Sequence, residues 1–165
     1  MSDIFAVSGG KNSGKTTFIE GLVKFFNKRG IKTAVIKHDG HQFEPDTKGT
    51  DSRRFFDSGA FGAAVFDNDK IQIVKRIECE IKPEEIFPEA DIILLEGFKY
   101  SDYPKIWMCS EENFENIKNI ILWAGSGGET PNIDKNDVDT AGEYILEIIR
   151  RRKYERIFEK NRMSL

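Results

Sequence analysis

The chain has little of what small proteins use as covalent or metal staples. Of 165 residues, two are cysteine, Cys79 and Cys109, and two are histidine, His38 and His41. Two cysteines this far apart exclude a disulfide scaffold and a CxxC metal site, so reduced, buried thiols are expected. Long apolar runs are missing as well: stretches such as Ile92 to Leu95 and Ile120 to Ala124 fall far short of the roughly 18 residues needed to cross a bilayer. The opening MSDIFAVSGG has no basic stretch ahead of its apolar part, so no signal peptide is expected. No charge sign dominates. A net of −3, from 28 acidic and 25 basic side chains, offers no general attraction to nucleic acid or to an anionic membrane. With 39% hydrophobic and 32% charged residues, the composition is neither that of a membrane protein nor that of a disordered one. A cytoplasmic protein with a single domain over 1–165 is expected, burying roughly 70% of its unfolded surface.

What is present is periodic. Ile4 to Val7 reads as a buried parallel strand running into a glycine cluster. From Thr16 to Arg29 the apolar Phe18, Leu22, Phe25 and Phe26 recur at i, i+4, i+7 and i+8, and Lys28-Arg29-Gly30 supplies a basic last turn and a C′ glycine. Lys32 to Lys37 is a second strand, which completes a βαβ unit. Residues 38–50 lack periodicity, and a loop of about 13 residues inside a compact domain is more often functional than idle. Asp51 is expected to cap a short helix through Ser58. Ala63 to Phe66 and Ile71 to Val74 flank DNDK as a hairpin, and Pro83-Glu84-Glu85 opens a brief helix. Asp91 to Leu95, Lys105 to Met108 and Asn119 to Ala124 are further strands, and a long helix spans about 138–158. Most of the 13 phenylalanines are expected in the core, with Phe55, Phe56, Phe98 and Tyr100 as surface candidates. The pattern predicts an α/β fold, a P-loop NTPase-like three-layer sandwich whose mostly parallel sheet carries a β-hairpin insertion.

The strongest chemical signal is Gly9-Gly10-Lys11-Asn12-Ser13-Gly14-Lys15-Thr16, a full match to G-x-x-x-x-G-K-[ST] between a predicted strand and a predicted helix. Glycines let successive N–H groups turn inward around phosphate oxygens, and the helix that follows adds its partial positive charge. Lys15 is expected to neutralise the β- and γ-phosphates, Thr16 to ligate Mg²⁺, and Thr17 to belong to the same nucleotide site. A second signal is Glu96, which ends the strand IILL, where a P-loop fold holds Mg²⁺ or its water. The third is the long loop, with Lys37, His38, His41, Asp46, Asp51, Ser52 and Arg53 in or beside it. Two histidines without a nearby cysteine fall short of a zinc site. Imidazole hydrogen bonds at the rim of a nucleotide pocket and an arginine for phosphate or carboxylate fit better.

Lys37-His38-Asp39-Gly40-His41, then Asp46, then Gly49-Thr50-Asp51-Ser52-Arg53, resembles the signature of the MobB family. The loop GGKNSGKTT and the run Leu95-Glu96-Gly97-Phe98-Lys99 followed by Pro104-Lys105-Ile106 are similar to the same family's other landmarks, in its order and from residue 1 to about 145. The resemblance implies a small, dimerising GTP-binding adapter of molybdopterin-guanine dinucleotide biosynthesis that binds GTP with Mg²⁺, hydrolyses it feebly and assists a guanylyltransferase. It assigns Lys15 and Asp51 to catalysis, residues 9–17 with Arg53 to the nucleotide, Thr16 and Glu96 to the metal, and Lys37, His38, His41, Asp46 and Ser52 to a substrate or partner loop. No water-orienting glutamine or arginine finger is evident, so hydrolysis is expected to be slow. The only string near the guanine-reading Asn-Lys-x-Asp is Asp134-Lys135-Asn136-Asp137, whose first position is wrong and whose Asp137 suits a helix cap. Two rivals stand beside this reading: an ATP-dependent small-molecule kinase with Asp46 or Asp51 as base, and a metal-insertion GTPase using His38 and His41. The basic run Arg150 to Lys153 is read as a solvated or interface face of a helix rather than an RNA patch.

Overall fold

A computed structural model of the chain describes residues 2–38, 44, 46–78, 81–109 and 116–162. Cys79 and His41 lie outside them. In chain order the elements are β1 (Asp3–Gly9), α1 (Lys15–Asn27), β2 (Thr33–Lys37), α2 (Asp51–Asp57), β3 (Gly62–Phe66), β4 (Ile71–Lys75), α3 (Pro83–Ile86), β5 (Ile92–Glu96), β6 (Lys105–Met108), β7 (Ile120–Ala124), β8 (Asn132–Ile133) and α4 (Val138–Arg162). They divide into two compact units, one from residues 1–38 and 83–165, the other from 39–82.

The larger unit holds a six-stranded sheet in the order β2-β5-β1-β6-β7-β8. Every neighbouring pair in it is parallel, which needs the crossovers that α1 and later segments supply. Alternation along the central strands sorts their side chains to two faces. Phe5, Val7, Ile92, Leu94, Ile106 and Met108 face the main core with the α1 stripe Phe18, Ile19, Leu22, Phe25 and Phe26. Ala141, Ile145 and Ile149, spaced at i, i+4 and i+8, bring α4 into the same core. Each fully buried Leu, Ile or Phe there contributes about 1.5–3 kcal/mol of apolar transfer. Ala6, Ile93 and Leu95 point to the other face, where Phe98, Tyr103, Ala34 and Ile36 pack against them.

Lys105 is wholly buried at the start of β6. Its ammonium donates to the carbonyls of Ser101 (2.7 Å), Tyr103 (3.0 Å) and Lys118 (2.7 Å), which is why a charge is tolerated there. Burial pushes its pKa below the usual lysine range.

The smaller unit is α2 beside the antiparallel hairpin β3-β4, with Gly62 opposite Lys75 and Phe66 opposite Ile71. No helix among the described residues is long and apolar enough to cross a membrane.

Several expectations change. Thr50, not Asp51, is the residue before the first turn of α2, and its carbonyl accepts the Arg54 N–H at 3.0 Å. Helix α4 runs four residues past the expected end. The two-residue β8 carries no period of its own and was not anticipated; it exists because Trp123 and Ala124 offer it a parallel edge. Phenylalanine is less of a core residue than its number promised: Phe5, Phe18, Phe25 and Phe26 are buried, but Phe55, Phe61, Phe66, Phe87 and Phe158 are exposed. Phe98, expected at the surface, instead covers the second sheet face. Of the cysteines, Cys109 is only partly buried and free, its thiol pKa raised by desolvation.

Candidate functional site

Parallel strands bring their carboxyl ends to one edge, so Gly9 of β1, Lys37 of β2, Glu96 of β5 and Met108 of β6 lie side by side there. At that edge β1 gives way to the loop 10–14 and then to α1. The loop needs glycine at its hinge, since a Cβ on Gly9 would sit 2.6 Å from the Met108 carbonyl oxygen. It needs glycine again at its exit, where Gly14 caps α1 with φ 92°. Asn12 also takes a left-handed conformation, φ 61°, one that asparagine tolerates better than most residues. Lys15 folds back over this loop: its Nζ donates to the carbonyls of Gly9 (3.3 Å) and Gly10 and lies 3.4 Å from the Ser13 hydroxyl.

Thr16, one residue into the helix, places its hydroxyl 3.2 and 3.3 Å from the two carboxylate oxygens of Glu96. Glu96 is held among neighbours, its side chain 12% exposed, with the Lys37 ammonium 3.4 Å away. The turn that follows is tied to β1. Gly97 donates its N–H to the Val7 carbonyl at 3.0 Å, and the buried Ser8 hydroxyl donates to the Gly97 carbonyl. Phe98 sits at φ 49°, a strained conformation for a bulky side chain, costing of the order of 1–3 kcal/mol and typical of functional turns. His38 donates its N–H to the Glu96 carbonyl at 3.3 Å, and its ring meets Phe98 edge-on, centroids 5.5 Å apart. So the structure brings Thr16, Lys37 and His38 to Glu96, while Lys15 covers the adjoining loop. Sequence reasoning had missed Ser8, which carries no motif signal. It had also missed the cavity beside the loop, lined by Asn12, Ser13 and Gly14 together with Lys135 and Asn136.

The remaining candidates lie in the smaller unit. Asp46 accepts the Ser52 hydroxyl and the Thr47 N–H (2.7 Å), which hold its carboxyl pKa below the usual value. Arg53 donates its Nε to both Asp57 oxygens at 2.9 Å and pairs with Glu44 through a terminal nitrogen; these carboxylates raise its pKa further. Asp51 is exposed and pairs with Arg54 at 3.2 Å. His41 falls outside the described residues, and among the described residues no three His, Cys, Asp or Glu side chains gather as a metal cluster.

Comparison with known proteins agrees with this architecture. Residues 4–122 match the family model of MobB, molybdopterin guanine dinucleotide synthesis protein B. A Bacillus subtilis protein named as a probable molybdopterin-guanine dinucleotide biosynthesis adapter protein is 38% identical over 127 residues, 73% of each chain. A Haemophilus influenzae molybdopterin-guanine dinucleotide biosynthesis adapter protein is 27% identical over 152 residues, 89% of this chain and 78% of that one. The crystal structure of Bacillus subtilis MobB superposes with a TM-score of 0.73 at 31% identity, over 88% of this chain and 96% of that one. With the phosphate-loop fold, the Thr16–Glu96 pairing and a match across most of its length, the chain belongs to the MobB family.

Proposed function

We propose that the chain is an adapter of molybdopterin-guanine dinucleotide biosynthesis that binds Mg-GTP at the loop 9–17 and assists a guanylyltransferase. The adapter role is the one named for its Bacillus subtilis and Haemophilus influenzae relatives. The observation that carries the nucleotide reading is the meeting of Thr16 and Glu96 at 3.2 Å beside the glycine loop. A hydroxyl and a carboxylate are the oxygen donors a hard divalent cation takes, so these two residues fit Mg²⁺, which would neutralise phosphate charge there. Lys15, which precedes Thr16, would exchange its carbonyl partners on Gly9 and Gly10 for phosphate oxygens. The Lys37 ammonium beside Glu96 limits the carboxylate's net charge and adds positive potential for an anionic ligand. Slow hydrolysis fits a chain whose only glutamines are Gln42 and Gln72, and whose Arg53 is already paired with two carboxylates. Homodimer formation completes the proposal, supported by the exposed apolar side chains of Val65, Phe66, Ile71 and Ile73 on the hairpin.

Calorimetric titration with Mg-GTP and Mg-ATP tests the nucleotide reading. GTP is expected to bind more tightly than ATP, with negligible turnover, and Lys15→Ala to abolish binding of both. A preference for ATP, or unchanged GTP affinity in Lys15→Ala, would sink it.

A further inference from the structure

Helix α4 outruns the core it helps to build. Ala141, Ile145 and Ile149 are buried. Arg152 closes that stripe, its guanidinium 5.4 Å from the centre of the Phe5 ring and 4.0 Å from the Asp3 carboxylate. Residues 153–159 are all exposed. A helix end with no core to cover has no need of apolar side chains, yet Tyr154 is 70% exposed, Ile157 57% and Phe158 79%. Their spacing of i, i+3 and i+4 gathers them on one side. At about 3.6 residues per turn, that side lies opposite the buried stripe. Arg150 and Lys153 border it on one flank and Arg151 on the other. Arg151 pairs with Glu147, whereas Arg150, Lys153 and Arg156 enter no ion pair among the described residues. Residues 150–162 hold seven Lys and Arg against two Glu, in a chain with 25 against 28 overall.

We propose that this end of α4 is a contact for an anionic lipid surface. A basic cluster on an amphipathic helix is drawn to a leaflet of acidic headgroups, and the unpaired cations here are available for that. Ile157 and Phe158 enter the boundary between headgroups and acyl chains, while the Tyr154 ring sits at headgroup level with its hydroxyl in water. Charge decides against the other occupants. A second copy of the same face would set like charges opposite one another. Nucleic acid would take the cations but leave Ile157 and Phe158 uncovered. The whole chain is slightly acidic, so the attraction is confined to this helix end. Three apolar side chains give a reversible, salt-sensitive contact rather than a stable anchor. The contact is independent of the nucleotide reading, and α4 lies beyond residues 4–122 that match the family model.

Co-sedimentation of the full chain with vesicles tests this, comparing phosphatidylcholine alone with an equimolar mix of phosphatidylcholine and phosphatidylglycerol. Binding is expected to the anionic vesicles only, with release at high salt. Phe158→Ser is expected to weaken it about tenfold, and Arg150→Gln about fivefold. Both side chains are exposed, so circular dichroism is expected to show wild-type helix content in each variant. Equal partition onto the two vesicle types, or none onto either, would overturn the proposal. Anionic binding that falls in Arg150→Gln but not in Phe158→Ser would also overturn it, because it marks a bare polyanion patch. So would a smaller assembly in Phe158→Ser by sedimentation equilibrium, which gives the face to a second copy of the chain.

Discussion

The Asp46 carboxylate is an acid whose charged form is favoured by two local donors, the Ser52 hydroxyl and the Thr47 N–H. Its folded pKa therefore lies below the ordinary 3.8. The stability it contributes is therefore present above the unfolded value and is lost as pH falls through the depressed one. The Thr47 amide resonance, 2.7 Å from the carboxylate, is expected to titrate with a midpoint below 3.8, and Ser52→Ala to move that midpoint upward. A midpoint indifferent to Ser52→Ala would remove the serine's role. At this scale Lys15 and Thr16 were singled out by the chain alone as the end of the glycine motif, and Glu96 as the end of an apolar strand. Asn136 was not. Its string matches no base-reading motif, and only the cavity next to the loop brings it to notice.

At the scale of elements, α1 and α4 owe their fit to missing side chains. A Cβ on Gly142 would lie 2.4 Å from the Phe25 ring, and one on Gly21 2.9 Å from a Val138 methyl. Alanine gains about 1 kcal/mol over glycine from helix propensity alone. Phe25 is 3% exposed and has no room to retreat, so overpacking of about 1–3 kcal/mol should win. Gly142→Ala is accordingly expected to lower the urea midpoint, followed through Trp107 and Trp123 in the same unit; a midpoint at or above that of the wild type would show that Phe25 can repack. Helices α1 and α4 were legible as periodic apolar stripes and the main strands as short apolar runs, with ends within a few residues. The cap of α2 and the strand β8 were not, since a cap is defined by backbone angles and a two-residue strand by its neighbour.

For the whole molecule, the hairpin carries an exposed apolar face. Phe66 is 78% exposed, and Ile71 and Ile73, which share its face of the hairpin, each exceed half exposure. Apolar side chains gathered this way mark an interface more often than a solvated face. Sedimentation equilibrium is expected to give a dimer that Phe66→Asp shifts to monomer, with Mg-GTP binding intact in the variant. A wild-type monomer at tens of micromolar would count against the dimer.

The glycine loop, the strand and helix that flank it and the family signature were all readable in the chain alone, because each is carried by neighbouring residues whose spacing states its purpose. Folding alone decided that Lys37 would stand beside the Glu96 carboxylate and that Asn136 would line the cavity beside residues 12–14. Those meetings depend on strand order and register, which burial of the whole sheet selects and no local stretch encodes. The same holds for burial itself. Composition counted thirteen phenylalanines, but only packing determined which ones the core had room to take.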